Sequence, residues 1–179
     1  MGLRQSAGAR PPVVVGVDGS QGSARALDWA LHEALDRQAP LRIVTAWSWD
    51  TTSTGSGSAS AGLARQARQT QEALVRGVLA RFPGDLPELT TELVQADPAS
   101  ALIEHSADGD LLVLGSRGMG GAAGAVIGSV ADACLRHCSC PVVVVPADPA
   151  LEPPLPGQLR GSVRRTGLAP AALAAFGLL

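Results

Sequence analysis

Short unbroken apolar runs alternate along this chain with stretches whose apolar residues recur at helical spacing. The first run, Val13-Val14-Val15-Gly16-Val17-Asp18 after Pro12, is β-branched without polar alternation. That is the pattern of a strand buried on both faces of a parallel sheet. The turn Asp18-Gly19-Ser20 ends it. Leu27, Trp29, Ala30, Leu31, Ala34 and Leu35 then predict a helix with Ser20 or Ser23 as N-cap and Gln38-Ala39-Pro40 as its stop. Leu41 to Trp47 reads as a second strand, and the Ser/Thr/Gly-rich stretch 48–60 reads as a long mobile loop. Leu63, Ala67, Leu74, Val78 and Leu79 among Arg and Gln predict an amphipathic helix over 61–82, closed by Pro83-Gly84. A strand over Leu89 to Val94, a helix from Pro98 to Ala107, the apolar strand Leu111 to Leu114, a helix from Ala125 to Cys138 and a strand Val142 to Val145 complete the pattern.

This alternation predicts an α/β fold: one domain over 13–146, built on a doubly wound, open, parallel five-stranded sheet with helices on both faces. Residues 1–12 read as a flexible N-terminus. The Pro/Gly-rich segment 147–179 reads as a disordered tail, with a short apolar helix conceivable over Ala169 to Leu179. Val142 to Val145 belongs at a sheet edge, yet it is β-branched on both faces, and an exposed apolar edge invites pairing.

Composition narrows the chemistry. A net charge of −2 over 179 residues with no dense basic run leaves no footprint for nucleic acid or an anionic membrane surface. No apolar stretch approaches the roughly 20 residues of a bilayer span, and Met1 to Pro12 lacks the apolar core of a leader, so a cytoplasmic location is expected. Cys134, Cys138 and Cys140 are odd in number and crowded at one helix end, which fits a reducing compartment. With His137 they do not match zinc spacing, and packing of the helix end is their expected role. His32 and His105 have no triad partners in pattern. All 14 Lys+Arg residues are Arg, which excludes a Walker A loop and any lysine Schiff base. A phosphate site here must use backbone amides, hydroxyls or Arg.

Such a site is offered by the segment from Gly115 to Val130, which follows an apolar strand and runs into a helix. Glycines let backbone approach a ligand, and a helix N-terminus favours anions through its unpaired amides and dipole. Ser116 and Ser129 would add hydroxyl donors, and Arg117 a cation. A plain glycine-rich surface loop is the alternative. The dinucleotide fingerprint fits poorly, because the loop follows a late strand and lacks the acidic residue at the expected distance.

Gly115, Gly118, Gly128 and Ser129 keep a spacing of glycine, two residues, glycine, nine residues, glycine and Ser. With Val14 to Ser20, Ile43 to Trp47 and Cys140 to Pro146, they make Val13 to Pro146 resemble the universal stress protein family, specifically its ATP-binding branch. The resemblance implies a Rossmann-like fold of the adenine nucleotide alpha hydrolase kind and ATP, with Mg2+, as ligand. It places Gly16, Val17 and Asp18 near ribose and adenine, and main-chain groups of Ala46 on the adenine. Gly115, Ser116, Arg117, Gly118, Met119, Gly120 and Gly121 would wrap ribose and phosphates, while Gly128, Ser129 and Val130 hold the phosphates. Asp18 would take a ribose hydroxyl or a metal-bound water, or else cap the next helix. The resemblance also implies a homodimer through the Val142–Val145 strand. Ala131 stands where the family often has a hydroxyl, and Ala122 and Ala123 where it has bulky side chains. Three functions stay open: an ATP-binding regulatory module in stress response or signalling, a slow metal-dependent ATPase or nucleotidyl transferase using Asp18 and Arg117, and an interaction module that binds no nucleotide.

Overall fold

The computed structural model describes residues 10–48, 57–118 and 127–146. The expectations for the tail 147–179 and for Met119, Gly120 and Gly121 lie outside the described residues. The element order is β1 (Val13–Gly16), α1 (Gln21–Arg37), β2 (Leu41–Trp47), α2 (Gly57–Leu79), β3 (Leu89–Gln95), α3 (Pro98–His105), β4 (Leu111–Gly115), α4 (Ser129–His137) and β5 (Val142–Val145). The strands form one sheet in the order β3-β2-β1-β4-β5, with every pairing parallel. The fold class read from the pattern is thus the observed one.

Alternate residues of the central strands supply two separate cores. Val13, Val15, Leu41, Ile43, Leu111 and Val113 pack under α1 and α2, while Val14, Val44, Leu112 and Leu114 pack under α3 and α4. Val13, Val14 and Val15 are all 0% exposed, which is why β1 shows no polar alternation. β5 lies at the edge, as its position in sequence suggested. Val143 and Val145 join the α1 side and Val142 and Val144 the α4 side.

Several boundaries differ from the periodicity. α2 begins at Gly57, inside the stretch read as loop, and ends at Leu79 rather than Phe82. Its first turn, Gly57-Ser58-Ala59-Ser60, carries no apolar stripe. Once the later turns are packed, each added residue gains a hydrogen bond without needing one. Past Leu79 the chain tightens, with the amides of Arg81 and Phe82 donating to carbonyls three residues back. α4 begins at Ser129 rather than Ala125, because Gly128 is extended (φ −75°, ψ 158°) and serves as its N-cap. α3 stops at His105, two residues short of the expected Ala107.

Polar contacts pin the layers. Gln71 of α2 is buried and donates from Nε2 to the Glu92 carbonyl at 2.9 Å. Arg42 of β2 holds Asp108 through two hydrogen bonds of 2.7 and 3.1 Å and donates to the His105 carbonyl at 2.8 Å. His105 Nδ1 meets Glu92 Oε2 at 2.5 Å, so this histidine joins α3 to β3. His32 packs its ring on Phe82 with centroids 4.7 Å apart. No helix among the described residues is long and apolar enough to cross a membrane.

Leu112→Ala, at a fully buried site in a central strand, is expected to cost about 2–5 kcal/mol in urea unfolding. The hydrogen bonds from Arg42 hold the Asp108 carboxyl below its ordinary value of 3.8. A depressed folded pKa means that the pair stabilises above about pH 4, and that this contribution is lost as pH falls through the folded value. Solvent screening keeps it under about 1 kcal/mol, because the Asp108 side chain is 66% exposed. Asp108→Asn should therefore lower stability slightly at pH 7 and leave it unchanged near pH 2, as read from urea midpoints at both pH values.

Candidate functional site

Chain direction alone opens a crevice at the carboxyl ends of β1 and β4. The chain leaves β1 toward α1 on one face of the sheet and leaves β4 toward α4 on the other. Strand order also reverses between these two neighbours, the place where open α/β sheets bind ligands. A cleft of about 460 Å³ lies there.

Gly16, Val17 and Asp18 line the cleft from the end of β1, and Ala46 from β2. Gly115, Ser116, Arg117 and Gly118 line it from the end of β4, and Gly128, Ser129 and Val130 from the start of α4. Every expected site residue that is described therefore converges on one cavity. Sequence reasoning missed the floor and one wall, formed by Val44, Leu114, Pro98 and Leu102. Their apolar spacing reads as ordinary core, and only the position of α3 over the sheet end turns Pro98 and Leu102 toward the cleft.

Local hydrogen bonds close the glycine loop at its base. The Ser116 amide donates to the Val145 carbonyl at 2.8 Å, and the Gly128 amide donates to the Ser116 carbonyl at 2.7 Å. The two ends of the loop are thus clasped and α4 is aimed at the crevice. Backbone also meets backbone where β4 ends. A Cβ on Gly115 would lie 2.7 Å from the Gly22 carbonyl carbon, and one on Gly22 would lie 2.5 Å from the Arg117 carbonyl oxygen. Gly115 is therefore a packing glycine between β4 and the first turn of α1. Gly118 faces the other way, because a Cβ there would fall on Asp18 Oδ2.

Of the helices that begin at this end of the sheet, α1, α3 and α4 have described N-caps, and these caps separate them. In α1 the Ser20 hydroxyl accepts from the Ser23 amide at 3.1 Å. In α3 Asp97 accepts from the Ser100 amide at 3.0 Å. In α4 the N-cap is Gly128, and no side chain caps the helix. The first-turn amides of a helix have no partner within it, so those of Ser129, Val130 and Ala131 present positive dipole to the cleft. Arg117 is the one guanidinium and Asp18 the one carboxylate among the described residues lining it. Asp18 Oδ1 accepts from the Ser20 amide at 3.0 Å, so Asp18 does brace the turn before α1, while its second oxygen lies beside Gly118.

Ala46 offers the second set of backbone groups. The β1–β2 ladder ends at Gly16 and Val44, the Val17 amide donates to the Val44 carbonyl at 2.9 Å, and the Thr45 hydroxyl donates to the Val17 carbonyl at 3.0 Å. Main-chain groups alternate sides along a strand, and the neighbouring Trp47 carbonyl is taken on the β3 side by the Ala96 amide. The amide and carbonyl of Ala46 therefore point into the gap left by β1.

The profile of the Universal stress protein family matches residues 10–146. The chain belongs to this family. A universal stress protein of Mycobacterium tuberculosis is 35% identical over 133 residues, covering 74% of this chain and 44% of its own length. The chain thus spans under half the length of these curated relatives. Among solved structures, a universal stress protein in complex with cAMP is 29% identical with a TM-score of 0.51, covering 79% of this chain and all of that one. The universal stress protein UspA of Lactobacillus plantarum, 20% identical with a TM-score of 0.61 over 77% of this chain and 99% of its own, shares the fold.

The two loop glycines should separate experimentally. Gly115→Ala meets main chain that cannot swing away and is expected to cost about 1–3 kcal/mol in urea unfolding. Gly118→Ala meets only the end of the Asp18 side chain and should stay within about 1 kcal/mol of the parent.

Proposed function

We propose that the cleft binds an adenine nucleotide, ATP with Mg2+, and that the protein is a nucleotide-responsive regulatory module of stress response or signalling. The observation that carries this reading is the uncapped N-terminus of α4 at the switch point, beside two helices whose own first turns are capped by side chains. Phosphates would sit on the amides of Ser129, Val130 and Ala131 with the Ser129 hydroxyl, and Arg117 would neutralise charge from the rim. The amide and carbonyl of Ala46 match the N1 acceptor and N6 donor of adenine, a pairing that guanine reverses. Mg2+ is held largely by phosphate oxygens and water, and Asp18 is the carboxylate that would hold one of those waters or a ribose hydroxyl. The cAMP complex of a relative of 29% identity supports the ligand class.

A loop that holds phosphates in the ground state need not accelerate their transfer, so the reading is of a binding module that responds to occupancy. The valine edge of β5, apolar on both faces, supports a homodimer through that strand. The net charge of −2 without a dense basic run supports a protein with no nucleic-acid partner, and three free cysteines support a reducing, cytoplasmic location.

Calorimetric titration with ATP and Mg2+, run beside GTP and a Gly128→Asp variant, tests the site. A Cβ at Gly128 meets nothing closer than 3.5 Å, so the variant should fold with its thermal midpoint preserved. Its carboxylate would cap α4 and repel phosphate, so ATP affinity should fall at least tenfold. Unchanged affinity in the folded variant would remove the phosphate assignment, and equal affinity for GTP would remove the adenine assignment.

A further inference from the structure

The three cysteines gather where α4 ends beneath α3. Cys138 is the C-cap of α4, and its amide donates to the Cys134 carbonyl at 2.9 Å. The Cys138 sulfur lies 3.7 Å from the Ser106 hydroxyl, which donates to the Ile103 carbonyl at 3.2 Å. Cys134 is fully buried, Cys138 is half-buried, and both pack in one apolar cluster. Four residues of helix rise about 6 Å, inside the Cα separation that a disulfide spans, and the Cβ atoms, about 5–6 Å apart in a helix, reach bonding distance when the last turn loosens at its C-cap. Cys140 lies two residues further on, past a bend, and packs against the same cluster. No group of three or more metal-ligating side chains forms among the described residues, so the arrangement is a thiol pair rather than a metal cage.

We propose that Cys134 and Cys138 are a redox-active pair that closes to an intramolecular disulfide when the protein meets a hydroperoxide. The half-buried Cys138 thiolate attacks the peroxide oxygen. The O–O bond breaks and hydroxide leaves to become water, which leaves a sulfenic acid on Cys138. The Cys134 sulfur then attacks that sulfur. The S–S bond forms, the S–O bond breaks, and the departing hydroxide takes the Cys134 proton as water. The two thiols lose two electrons in all, and hydrogen peroxide is reduced to two waters. Burial pushes the Cys134 thiol up to about 12, so little of it is thiolate at neutral pH and the second step is slow. The pair therefore responds to sustained exposure rather than to a brief pulse. Closure ties the last turn of α4, the helix whose first turn faces the cleft, to a fixed geometry.

The test uses the full chain, reduced and then treated with hydrogen peroxide, alkylated without reduction and digested with trypsin. Cleavage at Arg136 puts Cys134 and Cys138 on different peptides, while Cys138 and Cys140 share one. Peroxide should produce a cross-linked pair of these peptides, released by reduction, with alkylation surviving on Cys140 alone. The cross-link should persist in Cys140→Ser and vanish in Cys138→Ser, with circular dichroism showing both variants folded. A cross-link that persists in folded Cys138→Ser would overturn the proposal, as would a bridge within the Cys138–Cys140 peptide, linkage only between chains, or full alkylation of all three thiols.

Discussion

The arrangement depends on one constraint, the burial of β1 and β4 on both faces as parallel neighbours. Parallel strands need crossover connections, and two buried faces need helices above and below. The chain satisfies this by sending the exit of β1 to the α1 side and the exit of β4 to the α4 side. Two adjacent strands whose continuations part to opposite faces leave a gap at their carboxyl ends. The cleft is thus a by-product of covering a two-sided core, and the residues that face it are those next to the last ladder bonds: Val17 and Asp18, Ala46, and Ser116 to Gly118.

Close approach at the edge of that gap comes from glycine set against glycine. Gly22 in the first turn of α1 and Gly115 at the end of β4 leave no room for a Cβ on either side, which draws α1 under the loop. Main-chain hydrogen bonds then join the loop base, from Gly128 to Ser116 and from Ser116 to Val145. Because β5 supplies the Val145 carbonyl, the edge strand and the cleft share a hydrogen-bonded seam. Pairing along that edge would therefore be felt at the loop without any side-chain relay.

α4 has a different task at each end. Its first turn lacks a side-chain cap and faces the cleft, while its last turn closes over buried sulfur. Ala131 and Cys134, both on its buried face, pack in the same cluster as Val44 and Leu114 of the cleft floor. A helix of nine residues has little freedom to bend between these contacts.

The sequence alone determined the class of fold, because β-branched runs without alternation have few solutions other than a doubly covered parallel sheet, and Val13 to Val15 and Leu111 to Leu114 are such runs. It also pointed to the segment on which the proposed phosphate site rests, since a lysine-free chain with the spacing of Gly115, Gly118, Gly128 and Ser129 has only amides, hydroxyls and Arg to offer. Tertiary structure decided what each of those residues does. Gly115 turned out to be a packing contact and Gly118 a neighbour of Asp18, a distinction that depends on which backbone lies across from each. Pro98 and Leu102 became cleft wall only through the placement of α3, and His105 met Glu92 only through the register of β3. Ser129, not Ala125, starts α4, because the extended backbone of its N-cap Gly128 sets the boundary. Local pattern records which residues prefer to be covered, while the partner that covers them is set by chain segments far away in sequence.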